Sequence, residues 1–139
     1  MQNNELLEKL FFELASENRL RILQEIQTKN LKMNEIARKI DLTATETFRQ
    51  LQRLSNVMLV QKQPDGTFIL TGHGKLVLQL TSPYEFVSKN REYFLTHDVW
   101  NIPTPFINRL GELSNAQLLL DAMDNINQGE KMFIAAEEY

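Results

Sequence analysis

The stretch NEIARKIDLTATETFRQLQRL, Asn34 to Leu54, contains two short helical patterns of apolar residues separated by a break at residues 41–43. Immediately after the break, Thr43 and Glu46 have the spacing of a capping box, in which each side chain bonds the other residue's backbone N–H. This pattern predicts a helix over residues 43–56. The break is therefore interpreted as a tight polar corner that fixes the direction of the helix following it.

The predicted helix over residues 43–56 has one apolar side and one polar side. Its apolar positions repeat every three or four residues, and we assign Phe48 to the core instead of to a base contact. The remaining arc is polar and cationic, and such side chains bind phosphates and base edges. The apolar positions are Ala44, Thr47 or Phe48, Leu51 and Leu54, and the polar arc consists of Thr45, Arg49, Gln50 and Arg53.

A β-hairpin is predicted after this helix, and helices are predicted on both sides of the pair. In LVQKQPDGTFILT, Leu59 to Thr71, the central Pro64-Asp65-Gly66 provides turn geometry between strands at about 59–63 and 67–71. We therefore expect a mainly α fold with a two-stranded hairpin. The predicted helices cover about 5–14, 17–27, 33–40, 43–56 and 72–80, a kinked or second helix from 83 to 94, a short helix ending at 110, and helices at 115–126 and around 128–139.

The charge of the chain is unevenly distributed. The 139 residues have a net charge of −3, but residues 1–82 contain 11 Lys and Arg against 9 Asp and Glu, hence +2. Residues 83–139 contain 4 against 9, hence −5. Attraction to phosphates is therefore expected in the first part, and we predict a DNA-binding domain over residues 1–82.

Several classes of protein and of site are disfavoured by composition. The absence of cysteine excludes disulfides and agrees with a cytoplasmic protein, and no apolar run approaches the roughly 18 residues of a membrane span. Two histidines are too few for an ordinary metal site, so we expect His97 to have a structural role near Pro103 and Trp100 to lie in a core or interface. Without a phosphate-binding glycine loop or a nucleophile beside a base, we expect neither a cofactor nor enzymatic activity.

A helix, a short turn, a second helix and a hairpin follow each other in the order of a winged helix-turn-helix. The segments ENRLRILQEI, MNEIARKIDLTATETFRQLQRL and LVQKQPDGTFILTGHGK resemble, in this order, the winged-helix regulators of the arsenical-repressor-like superfamily, especially archaeal members. The resemblance covers about residues 10–80. It implies a DNA-reading helix at 43–56, a wing at 59–71, and groove-facing positions at Thr43, Thr45, Glu46, Arg49 and Gln50. Arg53 and the wing residue Lys62, a phosphate partner, complete the candidate DNA site.

Glu46 has two alternative roles, and the end of the helix over residues 43–56 departs from the pattern of the relatives. Glu46 either accepts a hydrogen bond from a cytosine amino group or only completes the helix cap. Many relatives have Ala-Gly where this chain has Val57-Met58, so we expect the helix to end differently, with Asn56 in the left-handed conformation.

The second part of the chain has a narrower resemblance. EYFLTHDVWNIPTPFINRLGEL, Glu92 to Leu113, looks like the start of the middle domain of archaeal methanogenesis-regulator-like transcription factors. The resemblance implies that residues 83–139 form a helical linker and the beginning of a sensor or dimerisation domain that responds to an unknown effector. The last predicted helix reaches Tyr139 without a terminating residue, so we expect the native chain to continue.

The sequence thus predicts a sequence-specific regulator of transcription that binds double-stranded DNA. The resemblance implies a homodimer, because relatives pair through their terminal helices. A different class also fits the sequence, a winged-helix protein-interaction module within a larger assembly. The acidic total and the single lysine of the wing favour that alternative, whereas Arg49 and Arg53 favour DNA.

Overall fold

The computed structural model describes residues 4–99, 101–107 and 109–113, and it is mainly helical with one small antiparallel sheet. Its contacts divide the chain into two compact units, Met1–Leu78 and Gln79–Tyr139. Trp100 and the helices expected at 115–126 and beyond 128 lie outside the described residues. In chain order the elements are α1 (Asn4–Leu14), α2 (Glu17–Thr28), β1 (Leu31–Lys32), α3 (Met33–Ile40), α4 (Ala44–Asn56), β2 (Val60–Lys62), β3 (Thr67–Leu70), α5 (Gly72–Lys89), α6 (Arg91–Thr96), α7 (Thr104–Ile107) and a 3-10 turn, η1 (Leu110–Leu113).

The sheet has three strands in the order β1-β3-β2, one more than expected. The hairpin of β2 and β3 was predicted, and Gly66 has the positive φ of 88° that its turn requires. The additional strand, β1, is only two residues long, and Leu31 pairs with Phe68 on β3. Two residues are too few to show the alternation of apolar and polar side chains that identifies a strand in a sequence.

The helices of the first unit pack around one apolar core. Ile22 and Leu23 of α2, Ile36 of α3 and Leu51 and Leu54 of α4 are almost completely buried in it. The second unit has a smaller core of its own, formed by Phe86, Tyr93, Ile102 and Leu110. Of the kinked or second helix expected from Pro83, the second helix is wrong at that point, since α5 is a single helix of 18 residues that contains Pro83. None of the helices among the described residues is long and apolar enough to cross a membrane.

The corner between α3 and α4 has the predicted form. Asp41 ends α3 in the left-handed conformation, with φ 57° and ψ 50°, and its N–H bonds the carbonyl of Ala37. Leu42 packs against the core. Thr43 then caps α4, because its hydroxyl oxygen accepts a hydrogen bond from the N–H of Glu46 at 3.1 Å. These contacts fix the direction in which α4 leaves the corner.

The end of α4 differs from the expectation for Asn56. Asn56 is the last helical residue, and Met58 adopts the left-handed conformation with φ 64°. Its neighbour Leu59 donates to the carbonyl of Leu54 at 3.0 Å, which closes the helix before β2 begins. The expectation was wrong because a non-glycine residue can occupy this conformation, at a cost of about 1–2 kcal/mol, when the surrounding bonds determine it.

A close backbone contact joins the start of α5 to the segment before β2. The hydroxyl of Thr71 accepts a hydrogen bond from the N–H of Gly74 at 2.9 Å, and the N–H of Thr71 donates to the carbonyl of Leu59 at 3.1 Å. A Cβ at Gly74 would collide with that carbonyl oxygen, so the position requires glycine. The hairpin is therefore held at its base by α5.

Candidate nucleic-acid interface

One side of α4 is exposed to solvent along most of the helix. We call it the outer face and define it by Thr45, Phe48, Arg49 and Gln52, which lie three or four residues apart and are all exposed. The opposite side of the helix is buried against α2, α3 and the sheet. The outer face thus presents a hydroxyl, an aromatic ring, a guanidinium and an amide from a helix fixed by the core.

Gln50 does not lie on the outer face, and its expected outward orientation is wrong. Only 8% of the residue is exposed. Its side-chain oxygen accepts a hydrogen bond from Nη1 of Arg19 at 2.8 Å, and its amide nitrogen donates to Glu46 at 2.7 Å. Gln50 is buried because it is five residues from Thr45, about 140° around the helix, on the side where α2 packs.

Arg19 connects three elements beneath α4. It is a buried residue of α2, and it also donates to the backbone carbonyls of Phe12 and Glu13 at the end of α1. Burial and the neighbouring Arg53 lower the pKa of Arg19, whereas Glu13 acts in the opposite direction. Buried polar groups of this kind remain stable only when each has a hydrogen-bond partner.

Arg53 is paired within the protein as well. Its Nε and Nη2 atoms donate to the two carboxylate oxygens of Glu13 at 2.9 and 3.1 Å, a bidentate arrangement. The hydrogen bonds with Glu13 raise the pKa of Arg53, and its guanidinium lies 5.3 Å from the centre of the Phe12 ring. We call Glu13, Arg19, Gln50 and Arg53 the inner polar set, because their bonds join α1 and α2 to α4.

Glu46 lies between the inner polar set and the outer face. One carboxylate oxygen accepts from Gln50, and the other lies 3.3 Å from Nη1 of Arg49. Glu46 contributes its backbone N–H to the cap of α4, which is the Thr43 half of the predicted capping box, while its carboxylate contacts Gln50 and Arg49. The side chain of Arg49 is 67% exposed, so its ion pair is weak and its guanidinium remains accessible.

Phe48 is not a core residue, which corrects its assignment from the sequence. The side chain is on the outer face, and 53% of the residue is exposed. The alternative, Thr47, occupies the buried position, where its hydroxyl donates to the carbonyl of Thr43 at 2.9 Å. The prediction failed because hydrophobicity favoured phenylalanine, although a threonine that bonds its own helix can be buried without an unsatisfied group.

Two members of the outer face, Phe48 and Gln52, were not among the candidate site residues chosen from the sequence. Helical spacing contained the signal, since residues three, four and seven positions after Thr45 lie on the same side of a helix. That spacing selects Phe48, Arg49 and Gln52 and leaves out Gln50. Thr43, Thr45 and Arg49 are exposed as expected.

Comparison with solved structures identifies the fold. The structure of reduced HlyU from Vibrio cholerae N16961 matches with a TM-score of 0.50 and 22% sequence identity, over 59% of this chain and 90% of the HlyU chain. This chain has the winged-helix fold. No protein-family profile matches it, and no curated protein matches it.

In the winged-helix fold, α3 and α4 form the helix-turn-helix pair and the hairpin of β2 and β3 is the wing. Lys62 is exposed at the end of β2, and Lys32 of β1, which the sequence reasoning missed, is exposed on the other side of β3. Asp65 lies in the turn of the wing, where hydrogen bonds from the hydroxyl and N–H of Thr67 lower its pKa. The sheet therefore presents one lysine on each of its outer strands, β1 and β2, and the wing has an anion at its turn.

The described part of the winged-helix chain contains no group of three His, Cys, Asp or Glu residues that could hold a metal ion. In the second unit, the His97 ring stacks on Tyr93 with 3.9 Å between ring centres, and its Nδ1 lies 2.8 Å from the Tyr93 carbonyl oxygen. These contacts give His97 a structural role at the end of α6.

Proposed function

We propose that this chain is a regulator of transcription that binds double-stranded DNA sequence-specifically, with α4 in the major groove and the wing on the flanking backbone. The observation that supports this most is the outer face of α4, whose side chains are accessible on a helix fixed by the core. A helix about 10–12 Å wide fits a major groove roughly 12 Å wide. The winged-helix fold, which this chain shares with HlyU, agrees with this function.

Each accessible polar residue has a role in the proposed complex. Arg49 can donate two hydrogen bonds to a guanine edge, and Gln52 can form a donor and acceptor pair with adenine. The hydroxyls of Thr43 and Thr45 suit phosphates near the start of the helix, where the helix dipole also favours an anion. Glu46 orients Arg49 or accepts from a cytosine amino group.

The remaining candidate residues contact the DNA backbone or stabilise the position of α4 within the protein. Lys62 on the wing is the proposed phosphate partner, and Lys32 joins it from β1, at the opposite edge of the sheet. Arg53 and Gln50 support binding indirectly, because their bonds to Glu13 and Arg19 hold α4 in place. Only the partly exposed Arg53 could also approach a phosphate.

We further propose that two copies of the chain bind DNA as a homodimer. The first helix, α1, leaves several large apolar side chains exposed, and Leu76 on α5 is 62% exposed. Pairing such surfaces would remove them from water and would place two α4 helices about 34 Å apart on one face of DNA. The exposed apolar residues of α1 are Leu6, Leu7, Phe11 and Phe12.

The role of the second unit in this proposal rests on the sequence resemblance of residues 92–113. We propose that the protein acts in the cytoplasm. An effector bound by this part of it would change the orientation of the two α4 helices and would thereby couple effector binding to DNA binding. A winged helix that binds another protein instead of DNA is the rival function. In the rival function, the exposed apolar residues of α1 would contact that other protein instead of a second copy of this chain.

A duplex-binding titration across salt concentrations tests the proposed function. Affinity should fall steeply with salt, and Lys62→Ala should reduce the slope of log affinity against log salt by about one, because one phosphate contact is lost. Lys89→Ala serves as the matched control, since Lys89 is exposed near the end of α5 and has no proposed contact. Absence of duplex binding at low salt would refute the function and favour the protein-interaction module.

Arg49→Ala distinguishes base recognition from phosphate contact. We expect it to weaken binding to a preferred duplex about tenfold, the effect of one good base contact, and to change binding to random DNA much less. Its exposed ion pair with Glu46 predicts little loss of stability, which thermal unfolding would check. An equal loss on both duplexes would assign Arg49 to the backbone.

A further inference from the structure

We propose that Phe48 contacts the 5-methyl group of a thymine and thereby specifies that base in the operator. The inference rests on the DNA-binding function proposed above and adds a specificity-determining residue to it. It concerns a side chain without any hydrogen-bonding atom, at the centre of a face that is otherwise polar.

Phe48 is displayed on the outer face, although the other large apolar side chains of α4 are buried. Leu51 and Leu54 are 1% and 0% exposed, whereas Phe48 is 53% exposed. It lies one turn after Thr45 and one turn before Gln52, so it is in the middle of the proposed contact surface. Any approach of the outer face to a groove brings this ring to the base edges together with Arg49 and Gln52.

The chemistry of the major groove leaves one favourable partner for such a ring. Guanine, adenine and cytosine present hydrogen-bond acceptors or donors there, whereas thymine also presents the C5-methyl group. A phenyl ring placed on a polar edge would remove water without replacing its hydrogen bonds, which is unfavourable. Against the methyl group, the same ring buries apolar surface on both partners.

Phe48 and its polar neighbours then have complementary tasks. Arg49 and Gln52 select bases by forming hydrogen bonds, whereas Phe48 selects by shape and by penalising a polar edge. The contact also removes the exposed ring from water. Its burial therefore stabilises the complex. Phe48 is therefore a contact residue of the operator.

Replacement of thymine by uracil tests this role, because it deletes the methyl group and leaves the other atoms of the base unchanged. Preferred duplexes are first selected from a random double-stranded pool with the full chain. Uracil is then introduced at one thymine at a time. At one thymine of each half-site we expect affinity to fall about fourfold, the effect of losing one buried methyl group.

Protein variants link the effect to Phe48. In Phe48→Ala the thymine and uracil duplexes should bind equally, whereas Gln52→Ala should weaken both and keep their ratio. Because the ring is exposed, Phe48→Ala should unfold at nearly the wild-type temperature, so a loss of affinity is not a loss of folding. Cytosine at the sensitive position should weaken binding, and 5-methylcytosine should restore part of it.

The inference is overturned if no uracil changes affinity by more than about twofold, or if Phe48→Ala retains the wild-type ratio of thymine to uracil binding. Either result leaves the DNA-binding function intact. If no duplex is recovered or bound at low salt, the proposed function fails and the inference fails with it. The two failures are therefore distinguishable.

Discussion

The outer face and the inner polar set of α4 contain the same kinds of side chain in different surroundings. Arg49 and Gln52 are exposed, whereas Gln50 is buried on Arg19 and Arg53 is paired with Glu13. The first pair leaves its donors accessible to a ligand, and the second uses them to join helices. Accessibility, not residue type, therefore separates candidate contact residues from structural ones.

The inner polar set also determines how α4 is supported. Buried hydrogen bonds from Arg19 reach the end of α1 and the middle of α4, so three helices share one polar network. Such a network stabilises the fold only while every member has its partners. The outer face has no equivalent structural task, and this difference predicts that similar substitutions destabilise the protein more in the inner polar set than on the outer face.

The largest effect is expected for Arg19→Ala. The substitution removes the buried partner of the Gln50 side-chain oxygen and one partner of the Glu13 carboxylate. The free energy of unfolding should therefore fall by about 3 kcal/mol. Chemical denaturation measures this change. Arg38→Ala on the exposed side of α3 is the matched control, with an expected change within about 0.5 kcal/mol. Equal effects of the two substitutions would show that the buried bonds of Arg19 stabilise the fold no more than an exposed arginine does.

A smaller difference is expected between two glutamines that are two residues apart. Gln50→Ala should reduce the free energy of unfolding by about 1–2 kcal/mol, because it removes bonds to Arg19 and Glu46 from a buried site. Gln52→Ala should change it by less than about 0.5 kcal/mol. Denaturation curves of both variants provide the test, and a more damaging Gln52→Ala would contradict the assignment of the two sides.

The smallest difference in stability is expected between lysine substitutions of Arg53 and Arg49. Arg53→Lys replaces a guanidinium that bonds both oxygens of Glu13 by an ammonium that cannot match this geometry, so some stability should be lost. Arg49→Lys preserves an exposed charge and should leave the melting temperature unchanged. Thermal unfolding at low salt gives the comparison. A larger decrease for Arg49→Lys would show that its ion pair with Glu46 is structural.

Local signals in the sequence were sufficient for much of the fold. The caps and periodicity of α3 and α4 and the turn residues of the hairpin are read within a few positions, and the structure has these elements where they were expected. The pairing of β1 with β3 could not be predicted, because it depends on residues about 36 positions apart. The left-handed conformation of Met58 likewise could not be predicted, because methionine disfavours that conformation.

For the candidate site, sequence reasoning correctly placed Thr43, Thr45 and Arg49 on the exposed side of the helix, but it exchanged the orientations of Phe48 and Gln50. Gln50 was chosen because it is polar, and Phe48 was placed in the core because it is apolar. The structure reverses both orientations, since Arg19 supplies the partner that lets a glutamine be buried. That partner is 31 residues away in the chain, and nothing near Gln50 in the sequence indicates it.

An NMR titration of a preferred duplex into 15N-labelled protein tests the distinction between the two sides of α4 most directly. The side-chain amide signals of Gln50 and Gln52 can be followed separately in one experiment. We expect the Gln52 amide and the Arg49 Nε–H to shift or broaden on binding, while the Gln50 amide keeps its position. A shift of Gln50 with an unchanged Gln52, or no shift of either at low salt, would show that the two sides of α4 are wrongly assigned.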